Sequence, residues 1–166
     1  MRGNENKMAK ISIIGSGWVG TIIGKGFSEL GYEVIFYDIE DKNLPNFTRD
    51  INYAIGASSV SFICVPTPTV KGEIYLTPIK DAAENIGKAL SKKSDYHVVV
   101  VKSTVVPKTT ENVVIPILEK YSGKEAGRSP KAVSVKALQS KGFFWRLHES
   151  GVSDGNCRYM EFGQRL

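Results

Sequence analysis

The stretch KISIIGSGWVGTIIGKGFSELGYEVIFYD, Lys10 to Asp38, decides the fold. An apolar run, Ile11 to Ile14, enters Gly15-Ser16-Gly17-Trp18-Val19-Gly20. Apolar residues then recur at Val19, Ile22, Ile23, Phe27 and Leu30, the spacing of one helix face. Gly31 stands where a helix ends in a left-handed residue, and Val34-Ile35-Phe36-Tyr37 reads as a second buried strand closed by Asp38. The order is strand, glycine turn, helix, strand, acid.

That order suits a dinucleotide. Gly15 makes the tight turn, Gly17 lets backbone approach a pyrophosphate, and Gly20 lets helix and strand pack closely. The helix start offers free N–H groups and the positive end of its dipole to the phosphates. Asp38, about twenty residues beyond the glycines, is placed to accept hydrogen bonds from the adenosine ribose. A carboxylate there repels a 2′-phosphate, so NAD is expected over NADP.

Outward from this unit the alternation continues. Ile39 to Phe47 is charged and turn-rich, with Pro45 opposing helix. Thr48 or Asp50 is expected to cap a short helix through Ile51, Ala54 and Ile55, stopped by Gly56. Val60 to Val65 reads as a third strand and ends at Pro66-Thr67-Pro68-Thr69, which must leave the sheet at its carboxyl end, where ligands bind in a doubly wound sheet. Glu73 to Leu76 is a minor extended piece. Thr77 as N-cap and Pro78 as first residue start a helix with an Ile79, Ala82, Ala83, Ile86, Leu90 stripe. Tyr96 to Val101 is a fourth strand, its valines buried on both faces as in a parallel sheet. It runs into Lys102-Ser103-Thr104-Val105-Val106-Pro107, and a helix bent by Pro116 follows from Thr109 or Thr110. The fold class expected is α/β, a Rossmann-type doubly wound parallel sheet.

The chain has 166 residues and a net charge of +5. Residues 1–121 hold 14 Lys and Arg against 13 Asp and Glu, and residues 122–166 hold 8 against 4, so the excess sits in the tail. Its basic residues are scattered singly, which argues against a nucleic-acid arm. Cys64 and Cys157 give neither a disulfide framework nor metal-ligand spacing, and no metal is expected. No apolar run is long enough to span a bilayer and Met1 to Lys7 is polar, so a cytoplasmic protein without membrane contact is expected.

The glycine turn, Asp38, Cys64-Val65-Pro66-Thr67-Pro68-Thr69 and Val101-Lys102-Ser103-Thr104-Val105-Val106-Pro107 together resemble the N-terminal domain of the UDP-glucose/GDP-mannose dehydrogenase family. The resemblance covers about Lys10 to Gly127. It implies that Gly15, Gly17, Trp18, Val19, Gly20 and Asp38 hold NAD, that Thr67 lies beside it, and that Thr104 sits near both the cofactor and the reacting carbon, as a catalytic residue. Complete members oxidise a sugar C6 alcohol to a carboxylate in two hydride transfers, the second through a thiohemiacetal that requires a thiol.

The departures from the family are specific. Lys108 replaces a usual glycine, and Lys42 is only a loose match for the family's ribose-binding lysine. The Asn-Pro-Glu-Phe-Leu motif with its glutamate, the central helix, the sugar-nucleotide domain and the cysteine motif are absent. Cys157 lacks the cysteine motif's neighbours and receives no catalytic role. A nucleotide-sugar partner is therefore expected only with a substrate domain supplied, turnover by this chain alone is not expected, and the oligomeric state stays open.

The domain reading is a polar leader at 1–9, an incomplete NAD-binding domain at 10–127 and a divergent tail at 128–166. For the tail, permitted codons for Trp145 to Tyr159 allow the frame one base later to read Gly-Asp-Phe-Met-Ser-Pro-Glu-Phe-Arg-Met-Val-Ile-Val-Gly, like a downstream family stretch. A frameshift is the hypothesis. Stop codons and no family motif in the alternative frames of the gene would sink it. Two other readings stay open: a stand-alone NAD-binding module without catalysis, and a Rossmann dehydrogenase of the 6-phosphogluconate or hydroxyisobutyrate kind.

Overall fold

The structure, a computed structural model, describes residues 9–127 and 133–137. In chain order the elements are β1 (Ile11–Ile14), α1 (Trp18–Glu29), β2 (Val34–Tyr37), β3 (Phe47–Thr48), α2 (Ile51–Ala57), β4 (Val60–Ile63), β5 (Thr69–Val70), β6 (Glu73–Ile74), α3 (Thr77–Leu90) and β7 (His97–Val101). A π-helical segment (Thr110–Val114), α4 (Ile115–Ser122) and β8 (Val133–Ala137) complete it. Six parallel strands lie in the order β3-β2-β1-β4-β7-β8, with β5 and β6 forming a small antiparallel hairpin outside the sheet. The chain winds outward from β1 in both directions, which makes the expected doubly wound sheet.

Strand alternation divides the core. Ile14, Ile35, Ile63, Val99 and Val101 face α2, α3 and α4, while Ile11, Ile13, Val34, Phe36, Val60, Phe62, Val98 and Val100 pack with Ile23 and Phe27 of α1. Each fully buried aliphatic side chain contributes about 1.5–3 kcal/mol over leaving it exposed. The α1–sheet approach is set by glycines: a Cβ on Gly24 would lie 2.2 Å from the Phe36 ring.

Several elements differ from the sequence reading. Asp50 caps α2 as expected, its Oδ1 accepting from Asn52 N–H at 2.9 Å, but the helix runs through Gly56 to Ala57. Gly56 does not stop it, and a Cβ there would meet nothing. In α3 the N-cap position falls on Leu76 rather than Thr77, without a side-chain cap, and Pro78 still occupies the first turn. The helix through Pro116 changes type. Pro116 has no N–H for the carbonyl four residues back, and the preceding turn widens so that Ile115 N–H donates to Thr110 O, five residues back. Three strands lie outside the sequence reading, among them β5, which pairs Thr69–Val70 with the expected extended piece at β6. β3 is a two-residue edge beside β2, and β8 joins β7 in register beyond the domain boundary expected at Gly127. Apart from β8, the readings of the tail lie outside the described residues.

The amino-terminal edge of the sheet carries a closed polar chain. Ser58 Oγ donates to Ala54 O at 2.7 Å and lies 2.9 Å from Ser12 Oγ. Ser12 Oγ lies 2.6 Å from Ser61 Oγ, and Ser61 Oγ lies 2.7 Å from His97 Nε2. Lys93 Nζ, 3.3 Å from His97 Nδ1, also donates to Ile55 O at 3.0 Å and to Ser58 O. His97 is fully buried, and burial followed by the Lys93 charge pushes its pKa down to about 3, so the ring is neutral.

Candidate cofactor site

Each site residue expected from sequence lies just past the carboxyl end of a strand: the glycine turn after β1, Asp38 after β2, Thr67 after β4 and Thr104 after β7. Parallel pairing in register brings these ends to one edge. Open α/β sheets bind ligands in the crevice at that edge.

The three glycines of the turn are demanded for different reasons. Gly15 has φ +97°, and a Cβ there would sit 2.8 Å from Val65 N. Gly20 admits no side chain, because a Cβ would fall 2.0 Å from Gly15 O. At Gly17 a Cβ would meet no atom of the described residues within 4 Å, so among them the space above it is open. Gly17 is also the N-cap of α1 and supplies no side-chain cap, and the first helical bond is Thr21 N–H to Gly17 O. The N–H groups of Trp18, Val19 and Gly20 precede that bond. An open cradle over uncapped helix N–H groups fits the pyrophosphate of a dinucleotide.

Asp38 is tied to the turn. Its Oδ2 accepts from Ser16 N–H at 2.8 Å, and its Oδ1 accepts from Glu40 N–H at 3.1 Å. Ser16, which sequence reasoning passed over, is buried, donates from Oγ to Tyr37 O at 3.0 Å and accepts at its carbonyl from Thr21 Oγ1 at 3.0 Å. Its position inside the glycine motif was the available signal. Lys42 forms an exposed ion pair with Glu40 at 2.8 Å, which lowers the Glu40 pKa and raises that of Lys42. Trp18 is 83% exposed and Val19 half-exposed, which leaves an apolar lip on the crevice.

The two threonine loops meet. Thr67 Oγ1 donates to Thr104 O at 2.7 Å, and Ser103 Oγ donates to Val65 O at 2.7 Å. Cys64 directly follows β4, and burial pushes its thiol up to about 12, so it is a packing group and no nucleophile. Lys108 holds φ +70°, so the turn keeps the left-handed backbone that suits glycine even though lysine occupies it.

Fold and site define an NAD-binding domain of the Rossmann class. Residues 42–138, more than half of the chain, match the model of the UDP-glucose/GDP-mannose dehydrogenase family, NAD binding domain. The chain belongs to that family. It is 37% identical over 146 residues to GDP-mannose 6-dehydrogenase of Pseudomonas aeruginosa, a match covering 71% of this chain and 34% of the relative. Over 145 residues it is 36% identical to a UDP-glucose 6-dehydrogenase of Haloferax volcanii, with the same coverage. Among solved structures, a ternary complex of the Pseudomonas GDP-mannose dehydrogenase superposes with a TM-score of 0.70 at 36% identity, covering 76% of this chain and 35% of that one. A UDP-glucose dehydrogenase from Pyrobaculum islandicum also gives 0.70, at 26% identity, covering 84% and 38%. The chain thus spans about a third of the length of these relatives. The family match starts after the glycine turn and Asp38.

Proposed function

We propose that this chain is the cofactor-holding part of a nucleotide-sugar 6-dehydrogenase, which oxidises the C6 alcohol of a UDP- or GDP-sugar to a carboxylate. The observation that carries the reading is the junction of the two threonine loops beside the glycine turn, through Thr67 Oγ1 and Thr104 O. NAD supplies the hydride acceptor for such a reaction. Gly15, Gly17, Trp18, Val19 and Gly20 form its pyrophosphate cradle, and Asp38 receives the adenosine ribose. Thr67 lies along the cofactor, and Thr104 stands next to the reacting carbon.

The described residues hold no nucleophilic thiol, since Cys64 is protonated and packed. The second oxidation needs one, so turnover belongs to a polypeptide that also carries a substrate domain, and the nucleotide sugar is met there. The chain works in the cytoplasm and binds neither nucleic acid nor membrane. Among the described residues no helix is long and apolar enough to cross a bilayer.

Calorimetric titration of the purified chain with NAD and NADP tests the cofactor half, with Asp38→Ala as control. Saturable NAD binding, weaker NADP binding and a loss of about tenfold or more in the variant are expected, the scale of a charge-assisted hydrogen-bond pair. Equal affinity for the two cofactors, or no binding by a folded chain, overturns the reading.

A further inference from the structure

The crevice contains a reciprocal pair of bonds that the cofactor contacts do not account for. The loop after β4 gives its Thr67 hydroxyl to the carbonyl of Thr104, and the loop after β7 gives its Ser103 hydroxyl to the carbonyl of Val65. Both bonds are 2.7 Å and span 37 and 38 residues of sequence. Between them, Lys102 N–H and Ser103 N–H both donate to Ile63 O, at 2.9 and 3.0 Å. The backbone of Val65 in turn closes off the side-chain space at Gly15, where a Cβ would lie 2.8 Å from Val65 N. A continuous chain of contacts therefore runs from the glycine turn through Val65 and Ser103 to Thr104.

We propose that Ser103 and Thr67 are positioning residues: their crossed hydroxyl-to-carbonyl bonds form a clasp that sets Thr104 at a fixed place relative to the glycine turn. Thr104 is exposed and follows a strand that has already ended, so the sheet ladder does not hold it. A side chain meant to meet a substrate beside a cofactor needs its backbone held to within a fraction of an ångström. Two short bonds from opposite loops supply that restraint without using the Thr104 hydroxyl, which has no partner among the described residues. The crossed arrangement resists both sliding and opening, because each loop is donor in one bond and acceptor in the other. This assignment rests on the proposed role of Thr104.

Amide exchange by NMR on the full chain without cofactor reads the clasp directly. In Thr67→Val and Ser103→Ala, exchange at the backbone amides of positions 102 and 103 should rise about five- to tenfold, the scale of one hydrogen bond, while interior amides of β1 and β4 keep their protection. Thr67→Ser and Ser103→Thr, which keep the hydroxyls, should restore the parent rates. At saturating NADH, the emission of the bound nicotinamide in Ser103→Ala should move toward that of free NADH and return in Ser103→Thr. Unchanged exchange in both deletion variants overturns the clasp, as does equal acceleration throughout the sheet. Faster exchange with unaltered NADH emission leaves a structural tie and overturns the positioning role. A wild-type chain that fails to bind NADH refutes the cofactor reading instead, and the cofactor-free exchange still decides the clasp.

Discussion

The two edges of the sheet use the same residue types to opposite ends. At the amino edge, Ser12, Ser58, Ser61, His97 and Lys93 bond to one another and to helix carbonyls, and the ring and hydroxyls are buried. At the carboxyl edge, the hydroxyls of Thr67 and Ser103 tie loop to loop, while Gly17 and the first N–H groups of α1 face open space. A buried polar group without a partner costs about 1–3 kcal/mol, so the amino edge is closed by necessity. The carboxyl edge can leave donors unpaired because water reaches them until a ligand arrives. Hydroxyls at strand ends do not by themselves mark a binding site; backbone donors left open beside them do.

The sharpest way to break this comparison is Gly20→Ala. With a Cβ 2.0 Å from Gly15 O, the helix must move off β1. Thermal or denaturant unfolding should show a loss of about 3 kcal/mol, the upper part of the range for overpacking, together with lost NAD binding. A variant as stable as the parent would mean that the turn is not held as described.

The amino edge should answer to pH. The folded His97 pKa is about 3 against the ordinary value of 6.5, so its neutral form is favoured by folding. Its contribution is fully present above about pH 6.5 and is lost as pH falls from there toward 3. Stability should fall by about 1.4 kcal/mol per pH unit below 6.5, the slope for one proton. Glu40 and Glu84, whose pKa values lie below the usual 4.5, lose their ion pairs only at lower pH, so melts between pH 6.5 and 5, compared with a His97 variant, read His97. The slope should vanish in His97→Gln, and a slope unchanged in that variant would locate the effect elsewhere.

Gly17→Ala sharpens the contrast within one turn. A Cβ there touches no atom of the described residues, so unfolding stability should stay within about 0.5 kcal/mol of the parent. NAD affinity measured by calorimetry should nonetheless fall, by about tenfold or more, because the methyl fills the pyrophosphate's space. Unaltered affinity would place the phosphates elsewhere. The smallest expected change is a gain. Lys108 at φ +70° should be replaced by glycine with a stabilisation of about 1 kcal/mol, and a loss on Lys108→Gly would show that the lysine side chain makes up for its backbone.

Much of the carboxyl edge was legible because its signals are local. Gly15, Gly17, Gly20 and Asp38 occupy fixed offsets along one strand-turn-helix-strand unit, and apolar runs marked β1, β2, β4 and β7. The structure gathers Thr67 and Thr104 at that edge as expected, yet their bond could not be read from positions 37 residues apart. The amino edge was illegible for the same reason. Ser12, Ser61 and His97 are single polar letters in three apolar strands, and only the parallel register sets Ser12 beside Ser61. β8 lacked a readable signal because five residues of alternating pattern count for little until β7 offers a ladder.

The sequence by itself determined the order of the main strands and helices, the glycine turn and the acid that follows β2, since backbone φ, steric room and hydrophobic period are properties of neighbouring residues. Which hydroxyls are spent and which are free was decided only in the tertiary structure. That depends on strand register and on how closely loops distant in sequence approach, and a hydrogen bond forms only where both partners arrive within about 3 Å.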